Sequence, residues 1–219
     1  MNTETGSTDK HLIRKLTRYY RYLNEQKLLG KTVISSNKLA KLMNVSPSQI
    51  RQDFNRLMYE GYHGVGYNID TILLNISRLL NFKQNKNLII IGAGNLGQSL
   101  CNYASLADCG FTIKAFFDIN PRLENAVINS VPVYPMNKIE SYIKDEDITV
   151  AILSLPTAAT KGVAHKLYSY GIRLFLNFNP VFFDFNDDVY IENVHMDDNI
   201  MMLSYKSGLL QQKDDFANK

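Results

Sequence analysis

Apolar residues in the first thirty positions recur at intervals of three and four, the spacing that places them on one face of an α-helix. Basic residues lie between them. The apolar set is Leu12, Ile13, Leu16, Tyr19, Tyr20, Leu23, Leu28 and Leu29. The pattern predicts an amphipathic helix from His11 to Leu29, which Gly30 closes.

Two shorter helices are predicted next. Ser35–Asn37 offers an N-cap for a helix over Lys38–Met43, Asn44–Val45 makes a turn, and Ser46–Pro47 begins a helix from Ser48 to Leu57. This order is typical of a helix-turn-helix, whose second helix enters the major groove of DNA.

The second of these helices opens with side chains suited to DNA. Serine hydroxyls and first-turn amides suit a phosphate, and Gln and Arg can read base edges. The candidate DNA-binding residues are Ser46, Ser48, Gln49, Arg51 and Gln52. An ordinary helical hairpin with a solvated polar face is an equally good interpretation of this segment alone.

The following segment favours DNA binding. Gly61–Tyr67 holds three glycines bordered by aromatic residues, which predicts a tight β-ribbon, or wing. Tyr62 and His63 join the candidate DNA-binding residues. A structural turn explains the glycines but not the adjacent basic helix, so we favour a winged-helix domain, followed by a helix over Thr71–Phe82 and a polar linker, Gln84–Asn87.

A dinucleotide-binding pattern then begins. A buried strand over Asn87–Ile91 precedes a glycine-rich turn and a helix over Asn95–Leu106, and a strand over Thr112–Phe117 ends at Asp118. The candidate nucleotide-binding residues here are Gly92, Ala93, Gly94, Asn95, Leu96, Gly97 and Asp118. The carboxylate of Asp118 suits ribose hydroxyls and repels a 2′-phosphate, which favours NAD over NADP.

Strands and helices continue to alternate. A strand over Ile148–Leu153, a helix over Thr157–Tyr170 and a strand over Arg173–Leu176 predict a parallel sheet wound on both faces. Ligands bind at the carboxyl ends of such strands, which nominates Ser154–Pro156 and Asn177–Pro180 as the far rim of the site, with Pro156 as a nucleotide contact. Simple turn chemistry is the alternative.

Composition and charge indicate the class of protein and which segment would meet DNA. Hydrophobic residues make up 45% of the 219 residues and charged residues 21%, which indicates a globular protein. Residues 1–60 hold 11 Lys and Arg against 5 Asp and Glu, so the basic excess lies in the predicted DNA-binding segment. The polar N-terminus and the lack of a long apolar run predict a cytoplasmic protein without a membrane span.

We find no motif for catalysis or for a metal. Cys101 and Cys109 form no CxxC pair and are interpreted as packing residues, a redox role being the less favoured option. The four histidines lie in no motif with a nucleophile or a carboxylate. A nucleotide-binding domain without catalytic partners suggests a sensor rather than an enzyme.

The chain resembles the Rex family of bacterial redox-sensing repressors from about residue 10 to about residue 210. The matching stretches are Tyr19–Leu23, Ile34–Ser36, Gln49–Asp53, Gly64–Asn68, Gly92–Gly97, Asn102–Tyr103, Phe116–Asp118, Val131–Val133, Leu176–Phe178 and Leu203–Tyr205. The resemblance implies an α/β protein with a winged helix (1–82), a Rossmann-like NAD(H) domain with a doubly wound parallel sheet (83–195) and a C-terminal domain-swapped helix (196–219).

The resemblance also implies a homodimer that binds operator DNA when free or bound to NAD, and releases it on binding NADH. In that homodimer a helix over Asp198–Leu210 packs on the partner subunit. The apolar contacts of that helix would come from Ile200, Met201, Leu203 and Leu209.

Three features depart from the family pattern. Leu57–Gly61 replaces a Phe-Gly-x-Phe-Gly run, and Tyr62–His63 stands where paired Arg or Gln are common. The third is the switch: an Asp usually pairs with the counterparts of Arg21 and Tyr103, and here His195 takes its place. An altered redox response and an intact one, with Asp197 or Asp198 as substitute, both stay open. Tyr103 is also a candidate nucleotide contact.

The main hypothesis is therefore a repressor controlled by the NADH/NAD ratio. An NAD-dependent oxidoreductase with a helical dimerisation extension is one alternative. A constitutive DNA-binding protein with a structural nucleotide is another.

Overall fold

A computed structural model describes residues 5–56 and 66–217 of the chain. The chain divides into two compact units, residues 1–84 and residues 85–219.

The first unit is mainly helical. Its elements are α1 (Thr5–Leu28), β1 (Val33–Ile34), α2 (Ser36–Met43), α3 (Pro47–Arg56), β2 (Tyr67–Asn68) and α4 (Ile69–Leu79). The two short strands pair antiparallel, with Val33 opposite Asn68 and Ile34 opposite Tyr67. The helices predicted from periodicity are confirmed, although α1 begins earlier and α4 ends earlier than expected.

The helix ends follow from their capping residues. Gly30 has a φ of 75°, and the amide of Lys31 donates to the carbonyl of Gln26, so α1 ends in a Schellman motif. The hydroxyl of Ser35 accepts the amide of Lys38 at the start of α2. Asn44 is left-handed at its end, with a φ of 55°. These caps make the sharp turn between α2 and α3.

The core of this unit joins all four helices. Leu16, Tyr19 and Leu23 of α1 are fully buried, and so are Ile50 and Phe54 of α3. The same cluster contains Leu39, Ala40, Met43, Ile69, Ile72 and Ile76. The ring of Tyr19 meets that of Phe54 edge to face at 5.4 Å. Aromatic burial therefore fixes how α1 and α3 pack.

One carboxylate is buried in this core. Asp53 of α3 is 0% exposed and accepts a 2.7 Å hydrogen bond from the hydroxyl of Tyr19. Lys15 Nζ lies 3.3 Å from Asp53 Oδ2, and Gln49 Nε2 donates to Oδ1 at 2.9 Å. Donors from α1 and α3 thus converge on one side chain, which meets the requirement that a buried charge be paired and hydrogen-bonded.

The predicted wing lies largely outside the described residues, and so do Tyr62 and His63. Its last glycine is described: Gly66 has a φ of 101°, and a Cβ there would lie 2.7 Å from the carbonyl oxygen of Ile34. Glycine is required at this position because the chain passes so close to β1.

The second unit alternates strands and helices. Its elements are β3 (Lys86–Ile91), α5 (Asn95–Cys101), α6 (Ser105–Asp108), β4 (Phe111–Asp118), β5 (Val127–Ile128), β6 (Val131–Pro135), α7 (Ile139–Asp145), β7 (Ile148–Leu153), α8 (Thr157–Ser169), β8 (Leu174–Asn177), β9 (Tyr190–Asn193) and α9 (Met196–Ala217).

These strands form one seven-stranded sheet in the order β5-β6-β4-β3-β7-β8-β9. All pairs are parallel except β5 with β6. Successive residues of β3 point to opposite faces: Ile89 and Ile91 join a core with α7 and α8, while Leu88 and Ile90 join one beside α5 and α6. The predicted doubly wound α/β fold is confirmed.

Two local predictions were wrong. The helix expected over Asn95–Leu106 is divided into α5 and α6, because the amides of Asn102 and Tyr103 bond to carbonyls three residues back, which tightens and ends the turn. Lys86, expected in the linker, is the first residue of β3, where it pairs with Phe111 and places its Nζ 5.1 Å from that ring.

The last helix, α9, begins at Met196 and is longer than the predicted helix over 198–210. The apolar side chains described along it are exposed: Met196, Ile200, Met201, Met202, Leu203, Tyr205, Leu209 and Leu210. Across residues 5–56 and 66–217, no helix is long and apolar enough to cross a membrane. In the same part of the chain, no three His, Cys, Asp or Glu side chains form a group that would hold a metal ion.

We expect Tyr19→Phe to destabilise the first unit by about 1.5–3 kcal/mol, the usual contribution of a hydrogen bond to a charged group. The substitution leaves the ring packed and removes only the donor to Asp53. Urea unfolding followed by far-UV circular dichroism measures the effect. Tyr20→Phe is the matched control, because the ring of Tyr20 packs edge to face on Phe82 while the residue stays only partly buried. Equal losses for the two variants would contradict the prediction.

Candidate functional site

The turn after β3 is packed against the end of β7. Gly92 has a φ of 97°, and a Cβ there would lie 2.6 Å from the carbonyl oxygen of Ser154. A Cβ on Gly97 would overlap the carbonyl oxygen of Gly92 and lie 2.9 Å from Ser154 Oγ. Both positions therefore require glycine, for the turn and for close helix–strand packing respectively.

Gly94 has a different role. A Cβ built there would meet no atom within 4 Å, so the backbone at Gly94 faces open space. Gly94 is the N-cap of α5, and the first amides of a helix have no intrahelical partner. The side chain of Gln98 donates to the carbonyl of Ala93 at 2.7 Å and braces the turn. An anionic group can approach this backbone closely.

Asp118 ends β4 beside this turn. One carboxylate oxygen accepts the amide of Ala93 at 2.7 Å, and the other accepts the amide of Asn120 at 2.8 Å. Each oxygen has a second lone pair, so the carboxylate keeps capacity for further hydroxyl donors. A cavity of about 90 Å³ adjoins it, lined in part by Pro121, Glu124 and Tyr134.

The rim nominated on the other side of the site is held together by amide side chains. Asn179 Nδ2 donates to the carbonyl of Leu155 at 2.8 Å and to Thr160 Oγ1 at 2.9 Å. Asn177 is fully buried and donates to the carbonyl of Asn179. These bonds join the carboxyl ends of β7 and β8, and Pro156 lies exposed between them and α8.

The topology explains why these loops meet. From β3 the chain first runs to β4 and β6 on one side, and then crosses to β7 on the other side of β3. The carboxyl ends of β3 and β7 therefore flank the switch point of the sheet, the position where ligands bind in open α/β folds.

The surroundings of the two cysteines do not favour a redox role. Burial raises the pKa of the Cys101 thiol, and burial together with the charge of Asp108 raises the pKa of Cys109. Both residues are therefore protonated at neutral pH, whereas reactive cysteines have a lowered pKa.

The outer face of α3 is polar and basic. Its exposed side chains recur at helical spacing and are Ser48, Arg51, Gln52, Asn55 and Arg56. The guanidinium of Arg51 donates to Ser48 Oγ at 3.1 Å and to Ser36 Oγ at 3.4 Å. Asn55 and Arg56 were not among the sequence-predicted candidates, although they follow Arg51 and Gln52 by four residues each, a spacing that places them on the same helix face.

Two predicted DNA-binding residues have partners within the first unit. Ser46 Oγ accepts the amide of Gln49 and caps α3. Gln49 is half-buried and donates to Asp53.

The three switch candidates are exposed. Arg21 lies on α1 with its guanidinium carbon 5.4 Å from the centre of the Tyr22 ring. Tyr103 lies between α5 and α6 and is 62% exposed. His195 immediately precedes α9, and its carbonyl accepts the side-chain amide of Asn199 at 3.3 Å.

Each of the two units contains a segment that matches a known family model. The family model described as "CoA binding domain" matches residues 83–181, and the one described as "Putative DNA-binding protein N-terminus" matches residues 10–55.

Similarity to known proteins extends over nearly the whole chain. The redox-sensing transcriptional repressor Rex of Thermoanaerobacter sp. (strain X514) is 42% identical over 197 residues, which cover 89% of this chain and 87% of that protein. The structure of RSP with β-NAD+ and operator DNA matches with a TM-score of 0.84 at 38% identity, covering 96% of this chain and 97% of the other. RSP with β-NADH matches at 0.83 and 38% identity, covering 94% and 97%.

Identity at this level over this share of both chains decides the family, and the chain belongs to the Rex family of redox-sensing transcriptional repressors.

Proposed function

We propose that this protein is a transcriptional repressor that binds operator DNA when free or bound to NAD and releases it on binding NADH. Membership of the Rex family carries the proposal, because the relatives are redox-sensing repressors and RSP has been solved with NADH and with NAD+ and operator DNA. The relatives are regulators, in agreement with the expectation that the chain is not an enzyme. A repressor has to reach chromosomal DNA, so we place it in the cytoplasm.

The residues after β3 fit an NAD(H) molecule. The open backbone at Gly94 and the amides of Asn95, Leu96 and Gly97 would receive the pyrophosphate, and Asp118 would accept the ribose hydroxyls. Pro156 and Tyr103 are proposed as further contacts. The nicotinamide ring supplies the signal, because it is cationic in NAD+ and neutral in NADH.

The first unit is proposed to bind the DNA. Arg51 and Gln52 lie on the exposed face of α3, where side chains can reach base edges. Ser46 and Ser48 lie at the start of the helix, where first-turn amides suit a phosphate. Tyr62 and His63 are proposed as wing contacts.

We propose that the functional unit is a homodimer in which α9 packs against the partner subunit. Four successive apolar residues, Ile200–Leu203, place apolar side chains on every side of one turn of α9, and such a turn is normally buried. Ile200, Met201 and Leu203 are nevertheless each more than half exposed in the single chain. A second copy would bury them.

The experiment that tests the proposed function is a titration of a palindromic DNA site with the protein at fixed salt, in the presence of NADH, of NAD+ or of no nucleotide. Release by NADH but not by NAD+ supports the proposal. A DNA affinity that is the same with and without nucleotide would favour a constitutive DNA-binding protein. Turnover of NADH with a substrate would favour an oxidoreductase.

Asp118→Ser is expected to weaken NADH binding by roughly 10- to 150-fold, since hydrogen bonds to a charged group contribute about 1.5–3 kcal/mol. Discrimination against NADPH should fall as well, because the repelling carboxylate is lost. Glu124→Ser is the control, an acid that lines the same cavity. Calorimetric titration with both nucleotides measures the effect, and unchanged selectivity in Asp118→Ser would contradict the assigned role.

Arg51→Ala is expected to weaken operator binding by about 1–3 kcal/mol and to leave NADH affinity unchanged. Fluorescence anisotropy with labelled operator measures the first quantity and calorimetry the second. Arg78→Ala also removes an exposed arginine, from α4 of the same unit, and serves as control. The assignment fails if both variants lose the same DNA affinity.

A repressor with a weakened response to NADH is the second candidate function. The observation that favours it is His195, which stands immediately before α9 where the family resemblance implies an acid. His195→Asp should then raise the ratio of the DNA dissociation constants measured with and without NADH, whose usual range is 5- to 150-fold. Asn199→Asp adds the same charge one turn later and should not raise it. If the wild type already releases DNA at low micromolar NADH, and His195→Asp changes nothing, the switch is intact.

A further inference from the structure

Most side chains of α3 fall into two sets, one buried and one exposed. Ile50, Asp53 and Phe54 are buried in the core of the first unit. The exposed set, Ser48, Arg51, Gln52, Asn55 and Arg56, follows the steps of three and four that keep residues on one face of a helix. That face therefore extends over the whole length of α3 and not only over its first turn.

Gln49 belongs to neither set. It is half-buried, and its amide nitrogen donates to Asp53 Oδ1 at 2.9 Å. The same carboxylate receives Tyr19 and Lys15 from α1. To reach a base, Gln49 would have to leave a fully buried carboxylate with one donor fewer, which is costly in a water-poor site. Its geometry suits holding α3 in position.

Asn55 has the opposite surroundings. It is exposed and lies one helical turn after Arg51, and its side-chain amide makes no hydrogen bond to another described residue. Four residues along a helix span about 6 Å, so Asn55 faces a different base pair from Arg51. An Asn amide offers an acceptor and a donor side by side, the pattern that matches N6 and N7 of adenine.

We propose that Asn55 reads a base edge in the major groove, with adenine as its preferred partner, while Gln49 is a positioning residue that holds α3 through Asp53. This inference rests on the proposed operator binding and adds which residues of α3 determine sequence preference.

The test begins by selecting the preferred site of the wild-type full-length protein from a randomised DNA pool. Binding constants are then measured on that site with each symmetric pair of positions changed in turn, for wild type, Asn55→Ala and Gln49→Ala. Asn55→Ala should lose the preference at one symmetric pair of positions, roughly 5- to 150-fold per half-site, and keep it elsewhere. Gln49→Ala should bind more weakly by a similar factor on every sequence and melt at a lower temperature.

An atomic version of the test uses 7-deazaadenine, which lacks the N7 acceptor. Placed at the position that Asn55→Ala identifies, it should weaken wild-type binding and leave Asn55→Ala unaffected. Asn37→Ala, an exposed asparagine on α2, is the matched control and should keep the wild-type preference at every position.

The outcomes separate this inference from the function beneath it. If the wild type selects a site but Asn55→Ala keeps every preference, or Gln49→Ala loses one while still folded, the assignment of the two residues is overturned. If the wild type selects no site at all, the proposed operator binding fails and the assignment falls with it.

Discussion

The buried carboxylate of Asp53 is the constraint on which the DNA-binding unit depends. A charge removed from water is tolerated only when donors surround it, and here the donors come from two helices: Lys15 and Tyr19 on α1 and Gln49 on α3. These bonds form only at one rotation of α3 relative to α1. That rotation turns Ile50 and Phe54 inward and Arg51 and Asn55 outward, so a polar interaction inside the core decides which side chains are available to DNA.

In the nucleotide-binding unit the corresponding constraint is close packing of the backbone and not a buried charge. The carbonyl of Ser154 at the end of β7 approaches Gly92 so closely that no side chain fits, and Gly97 packs on the carbonyl of Gly92. A Cβ on Gly94, three residues before Gly97, would meet no atom within 4 Å. The two crowded glycines hold the turn in a fixed shape at the switch point of the sheet, and the open glycine leaves one stretch of backbone accessible to a phosphate. Preorganised amides of this kind are what an anion site needs.

The sequence predicts the structure correctly where the determining contacts are local. Each correct prediction depends on residues close to the element concerned. Examples are the turn at glycines 92–97, the end of the strand at Asp118 and the helix starts capped by Ser35 and Ser46. The sequence does not predict contacts between remote residues: Asp53 meets Tyr19 and Lys15 across 34 and 38 positions. Gln49 lies only four residues before Asp53, but the sequence around it does not show that Asp53 is buried against α1 and therefore engages the Gln49 amide. The break between α5 and α6 was missed for a different reason, since apolar periodicity continues through it and only the weak helix propensity of Asn102 and Tyr103 opposes a longer helix.

His195 raises a question that affinity for one ligand cannot answer. If NADH weakens DNA binding by some factor, DNA weakens NADH binding by the same factor, because both describe one coupling free energy. A substitution outside the nucleotide turn and outside α3 can remove that coupling while both separate affinities stay intact. The Gly92–Gly97 turn and the exposed face of α3 would then each bind its ligand normally, without communication. The effect of the histidine is therefore measured as a difference, either between NADH affinities with and without bound DNA or between DNA affinities with and without NADH. A ligand that binds both states equally shifts nothing, however tightly it binds.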